Sequence, residues 1–213
     1  MLIQRKASSK DEPNSRVTTK RFYYKSKALM KEVSYLNGKK HGTEKWYYES
    51  GALEYETAYA NGKEHGTKKR YYRFGALECE TPYVNGKEHG VEKRYYESGA
   101  LECEIPYVNG KENGVYKECY ESGALACETL YVNGQMHGLY REYYESGVLK
   151  SEVSYVKDDK HGIEKSFTTT GVLFGESVYF EGRFLSDARD LCTDSDDDND
   201  STDNFRAPIE NFA

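Results

Sequence analysis

The sequence is short of the residues from which a large aliphatic core is built. Only 37% of its 213 residues are hydrophobic, 31% are charged, and there is a single Trp. No apolar run approaches the roughly 18 residues that a membrane-spanning helix needs. The N-terminal segment also lacks the apolar core of a secretory signal peptide. The composition therefore predicts a soluble chain located in the cytoplasm.

A uniformly basic surface, as nucleic acids require, is also missing. The formal net charge is −6, with +7 in residues 1–99 and −13 in residues 100–213. Residues 186–213 carry nine acidic side chains against two arginines. Such an acidic run is typical of a solvated, disordered segment. We therefore expect no nucleic-acid partner, a disordered acidic tail at 186–213, and a flexible N-terminal segment at 1–17.

Tyr, in contrast, is abundant, and all 21 tyrosines fall within a repeated unit. Gly, Leu, Glu and Tyr each recur every 24 residues, which gives seven copies over residues 18–185. A fixed period of this length indicates a repeat protein in which each unit packs on its neighbours. We expect stacked Leu and Tyr columns to supply the buried surface. The repeated columns include Leu53, Leu77, Leu101, Leu125, Tyr59, Tyr83, Tyr107, Tyr131, Glu80 and Glu104.

Each copy has the pattern of a β-hairpin, with two runs of alternating apolar and charged residues between Gly-containing turns. Asn109-Gly110 and its equivalents predict two-residue type I′ turns, because both residues tolerate positive φ. At the Ser-Gly turns, a two-residue loop would place Lys93 opposite Glu104, whereas a three-residue loop with a bulge would shift this pairing by one. The sequence thus predicts an all-β fold, a single elongated antiparallel meander of tandem hairpins.

Three columns contain residue types that can carry chemistry. All five His share one position of the repeat, but equivalent residues of neighbouring hairpins lie about 9.6 Å apart, too far to share a metal ion without strain. Asn113 replaces His in one copy, which favours a turn residue that tolerates positive φ. The column of cysteines is too widely spaced for disulfides, and seven equivalent Glu lack the asymmetry of a catalytic pair. We expect no catalytic residue, no metal and no cofactor.

The repeated motif is an aromatic pair, then Gly-x-Leu, then Tyr-x-x-Gly-x-x-x-Gly. It resembles the MORN-repeat variant family, and the resemblance covers all seven copies. The resemblance implies a non-enzymatic binding module. Bacterial members are often the antitoxin of a toxin–antitoxin module, and other MORN proteins act as scaffolds or lipid-associated platforms.

A partner-binding surface should vary from copy to copy, unlike the columns that build the sheet. The most variable strand position holds Trp46, Arg70, Arg94, Glu118, Glu142 and Ser166. Trp and Arg are enriched at interface hot spots, and Arg73 and Phe74 replace the Glu-Ser of other turns. We therefore predict that Trp46, Arg70, Arg73, Phe74 and Arg94 bind a protein partner, such as a toxin, an effector or a defence protein. The alternative is a scaffold or lipid-associated platform, which the few basic clusters and the acidic half do not favour.

Overall fold

The computed structural model describes residues 16–187. Apart from two residues at each boundary, the predicted flexible segment 1–17 and the predicted acidic tail 186–213 lie outside the described residues. Within this range the chain forms one antiparallel sheet of 18 strands, and it contains no helix that could cross a membrane. The longer strands pair in the order of the chain, and three two-residue strands pair only with the strand that precedes them, so the sheet is the β-meander predicted from the sequence. The all-β fold of tandem hairpins is thus confirmed.

In chain order, the strands are Val17–Tyr23 (β1), Leu29–Leu36 (β2), Lys39–Tyr47 (β3), Leu53–Ala60 (β4), Lys63–Glu64 (β5), Gly66–Tyr71 (β6), Leu77–Val84 (β7), Lys87–Glu88 (β8), Gly90–Tyr95 (β9), Leu101–Val108 (β10), Lys111–Glu112 (β11), Gly114–Cys119 (β12), Leu125–Val132 (β13), Gln135–Tyr143 (β14), Leu149–Val156 (β15), Asp159–Phe167 (β16), Leu173–Phe180 (β17) and Arg183–Asp187 (β18).

The Asn-Gly turns have the backbone that the sequence predicts. At Asn109 and Gly110, φ is 54° and 81°, which is the pair of positive values that a type I′ turn needs. Lys157 and Asp158 occupy the same turn in a later copy and keep positive φ of 53° and 74°. Asp tolerates positive φ nearly as Asn does, but Lys does not, so the surrounding sheet imposes this conformation on Lys157.

The Ser-Gly turns combine features of the two alternatives that the sequence left open, namely the loop of one and the strand pairing of the other. Each loop contains three residues and is closed by a backbone hydrogen bond, such as the 2.8 Å bond from Gly99 N to Tyr96 O. Glu102 then forms a second bulge, which shifts the pairing back by one residue. Lys93 therefore lies opposite Glu104, and its Nζ is 3.2 Å from Glu104 Oε1. The structure thus has the Lys93–Glu104 pairing of the first alternative and the three-residue loop of the second.

The His column does not lie in a tight turn, so that interpretation is wrong. None of the five histidines has a positive φ, and neither does Asn113; the positive φ belongs to the Gly that follows, such as Gly90 with 119°. The column marks a β-bulge in which His89 N donates to Pro82 O at 2.9 Å. A Cβ on Gly90 would lie 2.8 Å from Pro82 Cγ, so the close approach also requires glycine. A His followed by Gly is compatible with both a β-bulge and a tight turn, so the sequence alone does not distinguish the two.

The two faces of the sheet differ in burial. We call the face that carries Thr81, Cys103 and Ile105 the inner face, and the face that carries Lys93 and Glu104 the outer face. Within residues 16–187, the buried side chains all lie on the inner face, and they are Val33, Glu44, Thr57, Thr81, Glu92, Cys103, Ile105, Cys127, Thr129 and Val153.

One inner-face column supplies most of this burial, and it is not the column expected from the sequence. Its members are at most 6% exposed and recur every 24 residues as Val33, Thr57, Thr81, Ile105, Thr129 and Val153. The Leu and Tyr columns are only half-buried. Leu101 and Tyr107 lie near the two ends of β10, where the edge of the sheet is open to solvent, whereas Ile105 lies in the middle of the strand.

Side-chain bonds link neighbouring strands and copies. The Glu column forms cross-strand ion pairs on the outer face, for example between Arg141 Nη1 and Glu128 Oε1 at 3.4 Å. These pairs are partly exposed and contribute little individually. A Tyr hydroxyl also donates to a carbonyl of the next copy, as Tyr96 does to Cys119 O at 2.7 Å. Six tyrosines, spaced 24 residues apart, make this bond, from Tyr24 in the first pair of copies to Tyr144, which donates to Phe167 O.

Candidate functional site

A row of residues crosses the inner face from strand to strand, and we call it the central row. Trp46 is paired with Tyr55, Tyr55 with Arg70, Arg70 with Cys79, and Cys79 with Arg94. The row continues through Cys103, Glu118, Cys127 and Glu142. Three residues predicted to bind a partner, Trp46, Arg70 and Arg94, therefore share one face and one row.

The middle of the central row borders a cavity of about 450 Å³. Three basic and three acidic side chains line it, namely Lys68, Arg70, Arg94, Glu78, Glu92 and Glu102. Because the two signs balance, the cavity can offer hydrogen-bond donors and acceptors side by side. This arrangement suits the mixed polar surface of a protein better than a strongly charged ligand.

Both arginines are held by a carboxylate but remain half-exposed. Arg94 Nε donates to Glu92 Oε1 at 2.8 Å, and Arg70 Nη1 lies 3.6 Å from Glu78 Oε1. Burial alone would lower the pKa of Arg94, but the hydrogen bond and charge of Glu92 raise it. The side chains of Arg70 and Arg94 are 59% and 50% exposed. Since a guanidinium has five donors, each arginine keeps donors for a further acceptor.

Trp46 belongs to a packed cluster at the N-terminal end of the central row. Its ring stacks on Tyr55 with centroids 5.5 Å apart, and Lys31 Nζ lies 4.4 Å from its centre. Its indole N–H donates to Glu44 Oε1 at 3.2 Å. Glu44 also binds Lys31 and Lys40, each at 2.5 Å. Burial alone would raise the pKa of Glu44, but the hydrogen bonds from Lys31, Lys40 and Trp46 lower it to about 2. These contacts fix the indole and leave it less free surface than the arginines have.

Arg73 and Phe74 lie at the edge of the sheet rather than on its inner face. They occupy the turn between β6 and β7, and Phe74 is 89% exposed. Tyr72, which precedes them, lines the cavity, so the turn adjoins the central row. Of the five residues predicted from the sequence, Trp46, Arg70 and Arg94 thus lie two strands apart in the central row, and Arg73 and Phe74 lie in the adjoining turn.

The cysteines of the inner face are buried thiols. Burial raises the pKa of Cys103 to about 11 and that of Cys127 to about 12, so both are protonated near neutral pH. Cys79 and Cys119 are also free. Among residues 16–187, no three His, Cys, Asp or Glu side chains come close enough to hold a metal ion.

Sequence reasoning missed the carboxylates that hold the arginines. Glu92 lies two residues before Arg94 on the same strand, so the strand alternation could have placed both on one face. Glu78 lies at the bulge after the turn, and its carboxylate reaches Arg70 on the inner face. No feature of the sequence marks that bulge.

A single-layer array of tandem hairpins, in which each copy contacts mainly its neighbours, defines a repeat protein. Four segments of the chain match a family model described as MORN repeat variant: residues 40–61, 64–85, 88–109 and 136–157. These four segments therefore resemble MORN repeats, and repeats of that family are non-catalytic modules that generally bind proteins or membrane lipids. No curated protein matches the chain.

Proposed function

We propose that this chain is a non-enzymatic protein that sequesters or neutralises a protein partner, in the manner of an antitoxin, an immunity protein or an inhibitor. The observation that carries the proposal is the position of Arg70 and Arg94, two half-exposed guanidinium groups in one row beside a cavity. Arg and aromatic residues are the side chains that dominate binding energy at protein interfaces. The exposed Phe74 adds an aromatic side chain next to this row.

The site is organised before a partner arrives. Glu92 orients the Arg94 guanidinium through a hydrogen bond, and Glu78 forms an ion pair with Arg70, so less freedom of the Arg94 side chain is lost when a partner binds. Equivalent positions of neighbouring hairpins lie about 9.6 Å apart, so the arginines can contact two separate acceptors on one partner. Phe74 would bury a largely exposed ring in the complex.

A catalytic role is not part of this proposal. The inner-face groups that could in principle act as nucleophiles are the thiols of Cys103 and Cys127. Their raised pKa values keep them in the protonated form, which is unreactive. We place the protein in the cytoplasm, where its free cysteines would stay reduced.

Partner capture through Phe74 would test the proposal. Phe74 is replaced by a photo-crosslinking phenylalanine derivative, the crosslinked protein is identified by mass spectrometry, and its dissociation constant is measured with purified proteins. Arg70→Ala combined with Arg94→Ala should weaken binding at least about tenfold, which is 1.4 kcal/mol. The matched control is Arg21→Ala with Arg183→Ala, two exposed arginines outside the site, which should leave the constant unchanged.

Deletion of residues 190–213 tests the alternative that the acidic end holds the partner. We expect the dissociation constant to change by no more than a few-fold. If the deletion abolishes binding while the double arginine variant binds normally, the assignment of the site is wrong.

A further inference from the structure

The outer face carries an exposed apolar patch, on the side of the sheet opposite the central row. We call it the valine patch, and it consists of Val84, Val91, Val108, Val115 and Leu130, which are 37–49% exposed. Val91 is paired with Pro106 on the adjacent strand, and Val115 with Leu130, so the patch is continuous across strands. Contiguous exposed apolar surface of this kind marks an interaction site.

Lysines without an ionic partner form the rim of the valine patch. Lys87 and Lys111 face Val84 and Val108 across the Asn-Gly turns, and Lys117 follows Val115 by two residues on the same face. All three lysines are exposed. None of their ammonium groups forms an ion pair with another residue in the described part of the chain.

Only two neighbouring copies combine the valines with these lysines. In the earlier copies, Thr43 and Thr67 occupy the position of Val91 and its equivalents. In the later copies, Gln135 and Asp159 occupy the position of the turn lysine. The combination is therefore local, unlike the columns that build the sheet.

We propose that the valine patch binds a short amphipathic helix whose apolar stripe is flanked by acidic side chains. Val91 and Val115 lie two strands apart, or about 9.6 Å. Helix residues one heptad apart are separated by about 10.5 Å, so one apolar stripe can contact both valines. Acidic residues beside the stripe would then meet the lysine rim. A flat bilayer fits less well, because it would also cover Glu104 and Glu128 on the outer face, whereas a single helix can follow the apolar row and leave these carboxylates in water.

The probe is a fluorescein-labelled synthetic helix of about 14 residues, long enough to span both copies. It carries leucines at the a and d heptad positions and glutamates on both flanks. A second peptide is identical except that lysines replace the glutamates. Fluorescence anisotropy with the full chain should show that the acidic peptide binds at least about tenfold more tightly, and that added salt weakens this binding.

Substitutions taken from other copies of the repeat test the site without disturbing the sheet. Val91→Thr with Val115→Thr introduces the residue that the earlier copies already contain, and it should weaken binding of the acidic peptide at least about tenfold. Lys87→Gln with Lys111→Gln should remove most of the salt dependence.

The double variant Arg70→Ala with Arg94→Ala serves as the control, because these residues lie on the inner face. Peptide binding should be unchanged in it, so this proposal can fail or succeed independently of the proposed function.

Several results would overturn the proposal. Equal affinity for the two peptides, no binding of either, or binding that survives the valine substitutions would each exclude the helix site. The full chain is also sedimented with vesicles of phosphatidylcholine and phosphatidylserine. If it sediments with them and the valine variant does not, the patch binds lipid instead. A large gain in peptide affinity after deletion of residues 188–213 would show that the chain's own acidic segment occupies the patch.

Discussion

Glu44 offers the most direct test of the electrostatics of the inner face. It is 3% exposed, and its carboxylate accepts bonds from Lys31, Lys40 and Trp46. Replacing it by Gln keeps the shape but removes the negative charge. The two lysines would then face each other without a counter-charge, which should destabilise the sheet at neutral pH by about 2–3 kcal/mol.

The pH dependence follows from the pKa of this carboxylate. Folding lowers the pKa of Glu44 from 4.5 to about 2. Each unit of difference corresponds to about 1.4 kcal/mol, so the charged form stabilises the fold by about 3 kcal/mol. Because the pKa is lowered, this stabilisation is present above pH 4.5 and is lost as the pH falls through about 2. The amide side chain of the Glu44→Gln variant cannot titrate, so the stability of the variant does not fall with pH through this group.

Urea unfolding at several pH values between 7 and 2 would measure both effects. Trp46 is the only Trp in the chain and contacts Glu44, so its fluorescence reports unfolding at the site. Between pH 5 and pH 2, the wild type should lose about 3 kcal/mol more than the Glu44→Gln variant. The control is Glu49→Gln, at an exposed turn, which should follow the wild type. Parallel pH curves for the wild type and the Glu44→Gln variant would refute the reasoning.

Further substitutions test the packing and the turns. Ile105→Ala should lower the free energy of unfolding by about 3 kcal/mol in urea, more than Leu101→Ala, because Ile105 is 5% exposed and Leu101 only half-buried. Tyr96→Phe removes one hydrogen bond to the next copy and should cost about 1 kcal/mol in the same assay, and no change would show that the bond is dispensable. Lys157→Asn should raise the melting temperature, with a gain of about 0.5–1 kcal/mol, since Asn tolerates positive φ better. His89→Asn should change stability by less than about 0.5 kcal/mol, because another copy has Asn at this bulge, and a larger change in melting temperature would contradict this.

The fold was accessible from the sequence because its signals are local and repeated. An Asn-Gly pair specifies a type I′ turn through backbone sterics alone, and the 24-residue period repeats this information in successive copies. The depth of burial was not accessible. Alternation alone would place Leu101, Cys103, Ile105 and Tyr107 on one face, but the bulge at Glu102 pairs Leu101 with Tyr95 and moves it to the other face, and only the paired neighbours determine which of the remaining residues is enclosed.

The candidate site was accessible in part. One variable column correctly placed Trp46, Arg70 and Arg94 on a single face, since equivalent positions of a repeat share a face. The contacts of each side chain depend on residues in neighbouring strands. For this reason the sequence did not show that Trp46 is fixed by Glu44, or that Arg70 stays half-exposed.

The order of the strands, which follows the chain from β1 to β18, determines how the molecule would respond to a pulling force. A force applied between the two ends of the sheet acts across the strands and loads their hydrogen bonds one row at a time. The sheet would then open copy by copy like a zipper, rather than failing all at once under shear. Each released copy would lengthen the chain by about 70 Å, the extended length of its 24 residues less the roughly 10 Å that it spans in the sheet. Such a molecule would yield in regular steps of one copy each and would absorb work at every step.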